Sequence, residues 1–259
     1  MAAIIPIPAF ADNYVWLLRE GRAAVVVDPG DAAPVRACLD REELELAAIL
    51  ATHHHGDHVG GIEELVARRR VPVYGPARED IPARTHAVGE GDRVAIRELG
   101  IELRVLDVPG HTRGHVAYTG RVADAPALFC GDTLFAAGCG RIFEGTPAMM
   151  WASLEKLAAL DPATRVYCAH EYTLANLRFA AAVEPGSAAL ESRTARDAAR
   201  RQRGLPTLPS TIGDERASNP FLRAREPAVR AAAQAHAGRA LDGAVDVFAE
   251  LRAWKNVYR

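Results

Sequence analysis

The stretch THHHGDHVGG, residues 52–61, gathers four of the chain's nine histidines and an aspartate. Read as His53-x-His55-x-Asp57-His58, it offers neutral imidazole nitrogens and a carboxylate oxygen, the donors that divalent metals take. His53 and His55 continue an apolar run with a period of two, so both point to one side. Gly56 then lets the chain turn and carries Asp57 and His58 toward a second centre. Three more donors stand where other apolar runs end: His111 in PGHTRGH, Asp132 in FCGDTLF and His170 in CAHEY.

Seven donors exceed what a single zinc uses, because a structural ion is closed by four ligands and a catalytic one takes three plus water. Two ions use them all. With Asp132 as a bridge, His53, His55 and His111 complete one site while Asp57, His58 and His170 complete the other. Such ions sit roughly 3.5 to 4 Å apart and share a hydroxide that forms at neutral pH. Asp57 is then the residue expected to orient that hydroxide and take its proton. No G-x-S-x-G elbow and no cysteine beside a histidine–asparagine pair signals another nucleophile. His54 faces away from its neighbours as a bystander, and the isolated His86 and His236 are left out. His115 is read either as a core histidine or as a residue that orients a metal ligand.

Those donors must be held by strands, since most of them end short apolar runs. AAVVVD (23–28), LAAIL (46–50), IELRVLDV (101–108), ALFCGD (127–132) and RVYCAH (165–170) read as strands, with helices over IEELVARRR and after Pro147 between them. An α/β fold, sheets covered by helices, is expected through residue 170. From there the composition shifts to Ala, Arg and Glu, and helical periodicity runs through residues 171–183, 188–202, 225–237 and 243–257. The intervening RGLPTLPSTIGDERASNPFL is too rich in proline and turn residues for a helix and is expected to be a loop crossing back to the first domain. Two domains follow, 1–170 and 171–259.

At 259 residues, 49% of them hydrophobic, the chain can bury a sizeable core. Its net charge of -2 gives no field to hold a polyanion, so no nucleic-acid partner is expected, and Arg68-Arg69-Arg70 reads as the basic end of a helix. The four cysteines form no CxxC pair and fit free thiols in a reducing compartment. The start, MAAIIPIPAFADNY, lacks a basic leader region, and no run of about 18 apolar residues occurs, so a cytoplasmic protein without a membrane span is expected.

The pattern His53-x-His55-x-Asp57-His58 with His111, Asp132 and His170 resembles the metallo-β-lactamase superfamily. That resemblance implies an αββα sandwich with a dinuclear site at one edge. IPAFADNYVWLL, GDTLFAAGCGRIFEGT, AHEYTLANLRFA, SNPFLR and the terminal LRAWKN resemble the glyoxalase II family within it, which implies an α-helical C-terminal domain for substrate binding. It further implies hydrolysis of S-(2-hydroxyacyl)glutathione such as S-D-lactoylglutathione, the second step of methylglyoxal detoxification, by a monomer holding two ions, zinc first and iron or manganese otherwise. The family's glutathione contacts fall on Arg141, Phe143, Tyr172, Arg252 and Lys255; many members have tyrosine where Phe143 stands here. Read without the family, Arg252 and Lys255 are ordinary cations near a helix end. The competing readings are a persulfide dioxygenase with one iron, which would not use the second donor set, a nuclease, which would need a basic surface, and a metal-stabilised binding module.

Overall fold

The computed structural model describes residues 2–258. They form two compact units that interleave along the chain: one runs through Asp107 and includes Thr112–Gly131 and Tyr167–His170, and the other joins Val108–His111 and Asp132–Val166 to the residues from Glu171 onward.

The first unit opens with a six-stranded sheet in chain order, β1 (Ala3–Ala9), β2 (Asn13–Glu20), β3 (Ala23–Val27), β4 (Glu45–Leu50), β5 (Val73–Pro76) and β6 (His86–Val88). The first three strands pair antiparallel, and the later ones pair parallel. Parallel neighbours need a crossover, and helices supply the first two, while the segment between β5 and β6 holds no helix. α1 (Ala32–Arg41) joins β3 to β4, and α2 (Gly56–Val59) with α3 (Ile62–Arg68) join β4 to β5. Strand period two divides the sheet's faces: Val15 and Leu17 share a buried cluster with Val35 and Cys38 of α1 and Ile62 and Leu65 of α3. Trp16 points the other way, its ring edge-on to Tyr167 at 4.9 Å and its indole N–H donating to Cys168 O at 2.9 Å. The second sheet carries β7 (Arg93–Ile96), β8 (Ile101–Asp107), β9 (Val116–Val122) and β10 (Ala125–Gly131), an antiparallel meander continued by β13 (Arg165–Cys168). The buried Tyr118 hydroxyl donates to Ala51 O at 2.9 Å, tying this sheet to the residue just past β4.

In the second unit a short hairpin, β11 (Leu134–Phe135) and β12 (Gly138–Cys139), is followed by six helices. They are α4 (Pro147–Ala158), α5 (Thr173–Val183), α6 (Ala188–Gln202), α7 (Ile212–Ser218), α8 (Pro227–Ala237) and α9 (Gly243–Val257). Phe179, Phe221 and Phe248 are fully buried, their ring centroids 5.8 and 5.9 Å apart in sequence order. The segment read as a loop holds a two-turn helix, α7, and a two-residue strand, β14 (Ser210–Thr211), paired with Val166 and Arg165. Composition hid this helix because tertiary partners stabilise it: the Thr211 hydroxyl caps it by accepting from Asp214 N at 3.0 Å. The fully buried Glu215 also pairs with Arg193 of α6 at 2.6 Å. All four cysteines are buried thiols. No helix among the described residues is long and apolar enough to cross a membrane.

Candidate metal centre and substrate cavity

β4 delivers the histidine loop to the C-terminal end of the first sheet, where open α/β sheets place ligands. Asp28, at the end of β3, organises it. Its carboxylate accepts from Thr52 N and Thr52 Oγ1, both at 2.7 Å, and from His58 Nδ1 at 3.0 Å. Asp28 sits at φ +53, a left-handed conformation that aspartate tolerates better than most residues and that these three bonds hold in place. Gly30 is required two residues on, because a Cβ there would lie 1.9 Å from Asp57 O.

His53 and His58 are fully buried. His53 Nε2 lies 3.1 Å from His55 Nδ1, so one proton or one cation must sit between two ring nitrogens. Asp57 Oδ2 is 3.6 Å from His58 Nε2 and 3.5 Å from His170 Nε2, and these three residues each offer a ligand atom within 4.8 Å of the others. Each of the two histidines is oriented from behind by a carboxylate: His58 Nδ1 donates to Asp28, and His170 Nδ1 donates to Asp12 Oδ1 at 2.8 Å. That hydrogen bond presents Nε2 as the donor toward the centre, the usual outer arrangement around a metal. Asn13 Nδ2 donates to Asp57 Oδ2 at 3.0 Å and fixes the carboxylate as well. His115 is buried and stacks on His53 with centroids 4.6 Å apart and planes at 19°, so it packs against the ring of a candidate donor. His54 turns away to Glu79, whose carboxylate accepts from His54 N at 2.6 Å and from Gly114 N at 2.9 Å.

The second unit holds the other two donors. His111 Nδ1 lies 2.8 Å from the carbonyl of Arg141, which can only accept, so the proton is on Nδ1 and the Nε2 lone pair faces Asp132 Oδ2 at 3.4 Å. Two acceptors held this close fit a shared cation. Gly140 makes the approach feasible, because a Cβ there would lie 1.9 Å from Asp132 O and 3.2 Å from His111 Nδ1.

His111 and Asp132 also line a cavity of about 510 Å³ in this unit, and the same walls carry Arg141, Phe143, Tyr172, Arg252 and Lys255. Among the described residues lining it, Asp132 is the sole carboxylate against three cations. The ammonium of Lys255 donates to Ala175 O at 3.1 Å. Its pKa is lowered to about 8, first by burial and then by repulsion from Arg252, Arg178 and Arg141. Arg252 is 7% exposed, with Nη1 on Cys139 O at 2.9 Å and Nη2 on Asn256 Oδ1 at 3.1 Å. Burial pushes the Cys139 thiol up, with Arg252 opposing it. Neither cation is therefore a plain solvated helix end. Phe143 is 62% exposed, its ring edge-on to His111 at 5.2 Å. Tyr172 packs edge-on against Phe135.

Sequence reasoning missed Asp12, Asn13, Asp28 and Thr52, which orient the candidate donors, and Glu79, which holds His54 and Gly114 N beside them. Asp28 carried one signal, an acid at a strand end before Pro29-Gly30.

The model of the metallo-beta-lactamase superfamily matches residues 10–170, which defines the class of the fold, sheets combined with helices. The model of the hydroxyacylglutathione hydrolase C-terminus matches residues 171–258. The chain is 58% identical to hydroxyacylglutathione hydrolase of Cupriavidus taiwanensis, covering all of both chains, and 60% identical to that of Alkalilimnicola ehrlichii, covering 99% of each. Among solved structures it resembles TTHA1623 in a di-iron-bound form, with a TM-score of 0.60 and 28% identity over 84% of this chain and all of that one. The chain belongs to the hydroxyacylglutathione hydrolase family of that superfamily, a family of thiolester hydrolases.

Proposed function

We propose that the chain hydrolyses S-(2-hydroxyacyl)glutathione, S-D-lactoylglutathione among its substrates, to glutathione and a 2-hydroxy acid, with two divalent ions. The observation that carries this reading is the cavity in which three cations face His111 and Asp132, since it pairs a site for a carboxylate-bearing thiol with metal donors. In this reading His53, His55 and His111 would hold one ion, Asp57, His58 and His170 would hold the other, and Asp132 would serve both. His111 precedes Thr112 and Asp132 follows Gly131, so each of these two donors is one residue along the chain from the unit that holds the rest. The complete set Asp57, His58 and His170 supports two ions over the one of a persulfide dioxygenase. Zinc suits imidazole and carboxylate donors, as do iron and manganese, and TTHA1623 was solved with iron.

When bound, such ions supply Lewis acidity toward the thioester carbonyl and lower the pKa of water from 15.7 to about 7. Asp57, held by Asn13, orients the attacking water and accepts its proton through its carboxylate. Asp28, Asp12 and the Arg141 carbonyl keep His58, His170 and His111 in the tautomer with Nε2 as donor. Arg141, Tyr172, Arg252 and Lys255 bind the peptide and its carboxylates, while Phe143 gives an apolar edge without a hydroxyl. The departing thiolate has a pKa near 8.5 and needs little protonation, so no separate general acid is required. Catalysis then rests with residues 1–170 and substrate contacts chiefly with 171–259, the point at which the two family models meet. Buried free thiols agree with a cytoplasmic setting.

Elemental analysis of metal-loaded protein coupled to a hydrolysis assay on S-lactoylglutathione tests both parts. The expected result is two ions per chain with turnover. One ion would remove the dinuclear mechanism, and two ions without thioester hydrolysis would remove the substrate.

A further inference from the structure

The hairpin between Asp132 and Arg141 is too short to hold itself: its two strands have two residues each, and Ala137 at its turn sits at φ +55, a strained left-handed position for alanine. Side chains from the C-terminal helices hold it instead. Asn219, after α7, donates from Nδ2 to Gly138 O at 2.8 Å and to Phe135 O at 3.3 Å. Asn176 of α5 donates to Ala136 O at 3.1 Å. Glu215 of α7 accepts from Ala137 N at 2.8 Å, and Arg252 of α9 donates to Cys139 O at 2.9 Å. Five consecutive residues, 135 to 139, are thus each tied through one backbone atom to a buried side chain.

The clamp is itself braced. Glu215 Oε2 also accepts from Asn219 Nδ2 at 3.0 Å, while Oε1 pairs with Arg193 at 2.6 Å. Asn219 Oδ1 accepts from Phe221 N at 3.1 Å, which fixes the amide so that its NH2 points at the hairpin. Asn219 and Glu215 have no exposed surface. Asn219 does not line the cavity, so a substrate contact does not explain it.

What the hairpin carries gives the clamp its consequence. Asp132 leads into it, and Gly140 and Arg141 leave it. Gly140 N donates to Thr133 O at 3.2 Å, and Arg141 O receives the Nδ1 proton of His111. A shift of a few tenths of an ångström at residues 138 to 140 would therefore move Asp132, the His111 ring and its tautomer together. We infer that Asn219, seated on Glu215, is a positioning residue for the metal donors His111 and Asp132, acting through the hairpin 134–139. The SNPFLR segment thereby gains a role: the C-terminal helices set the geometry of the metal donors as well as forming walls of the cavity. This rests on the reading that His111 and Asp132 bind metal.

The test is zinc affinity of the full chain, measured by competition with a chromophoric chelator, for the parent, Asn219→Ala and Val229→Ala. The last removes buried methyl groups from α8 as a control for lost stability alone. Asn219→Ala is expected to bind zinc about tenfold more weakly, the low end of the effect of losing a residue that bonds a ligand directly, because Asn219 acts one step further out through the hairpin. It should lower kcat with KM for S-lactoylglutathione little changed, because Lys255 and Arg141 remain. Val229→Ala should lower Tm with zinc affinity and kcat unchanged. Should Asn219→Ala fail to fold, Asn219→Ser, which keeps one short donor, is expected to show the same pattern in weaker form. Zinc affinity and kcat in the Asn219 variants that match the parent, or that fall only as far as in Val229→Ala, would overturn the inference. A parent that binds no zinc would instead overturn the metal reading on which it rests.

Discussion

Replacing Lys255 by methionine keeps the buried stem and removes the charge, which isolates what the ammonium does in the cavity. The free-protein pKa of about 8 makes the charge conditional on pH: present below it, lost as pH rises through it. At pH 7 about nine Lys255 side chains in ten are protonated and at pH 9 about one in ten, so a contact that needs the charge weakens about tenfold per unit above 8. A charge-assisted hydrogen bond contributes about 1.5 to 3 kcal/mol, roughly tenfold to a hundredfold in kcat/KM. Partial solvent exposure places the effect at the lower end. One of the three ammonium protons is committed to Ala175 O, which leaves two for a substrate carboxylate. The expected result is that Lys255→Met lowers kcat/KM for S-lactoylglutathione about tenfold at pH 7, mainly through KM, and that the deficit shrinks to about twofold by pH 9. A short acyl thioester without glutathione should give equal values for both proteins at every pH, and Lys255→Arg should carry its charge flat through pH 9. Stability should move the other way. A lysine whose folded pKa lies below its unfolded value of 10.5 destabilises the fold while protonated, and that cost is relieved only between about 8 and 10.5. Lys255→Met should therefore raise Tm at pH 7, by an amount that shrinks toward pH 10. Steady-state kinetics from pH 6.5 to 9 with thermal melts decides it. An alkaline fall in kcat/KM that survives unchanged in the methionine variant would refute the assignment.

Asp132→Ala should be the most damaging ligand change, leaving less metal bound at both positions by elemental analysis; full occupancy and rate would remove it as the bridge. Asp28→Asn removes the acceptor that sets the His58 tautomer, and zinc affinity and kcat should each fall about tenfold to a hundredfold. Gly140→Ala places a methyl 1.9 Å from Asp132 O, so metal content should drop while far-UV circular dichroism stays close to the parent's. Tyr118→Phe leaves Ala51 O without its buried donor and should cost about 1 kcal/mol, a shift of about 2 to 4 °C in Tm, with KM unchanged.

The candidate metal donors were legible in the sequence because ligand chemistry restricts residue type and because strand period two and a glycine turn restrict spacing: His53, His55, Asp57 and His58 can be read as a candidate set without a fold. The same holds for strands such as Ala23–Val27 and for helices such as Ala188–Gln202 and Gly243–Val257, where local periodicity is strong. Tertiary structure decided the rest. Asp12 and His170 lie 158 positions apart, and Arg252 and Cys139 lie 113 apart, so no local pattern joins them. The helix Ile212–Ser218 was hidden for the same reason, since the threonine cap that starts it is local but the arginine that steadies its buried Glu215 belongs to another helix. Lys255 shows the division most plainly. In the sequence it is one more cation near a helix end, with an ordinary pKa. Burial and three neighbouring arginines make it a group that titrates near pH 8, because desolvation and like charge depend on distance in space and not along the chain.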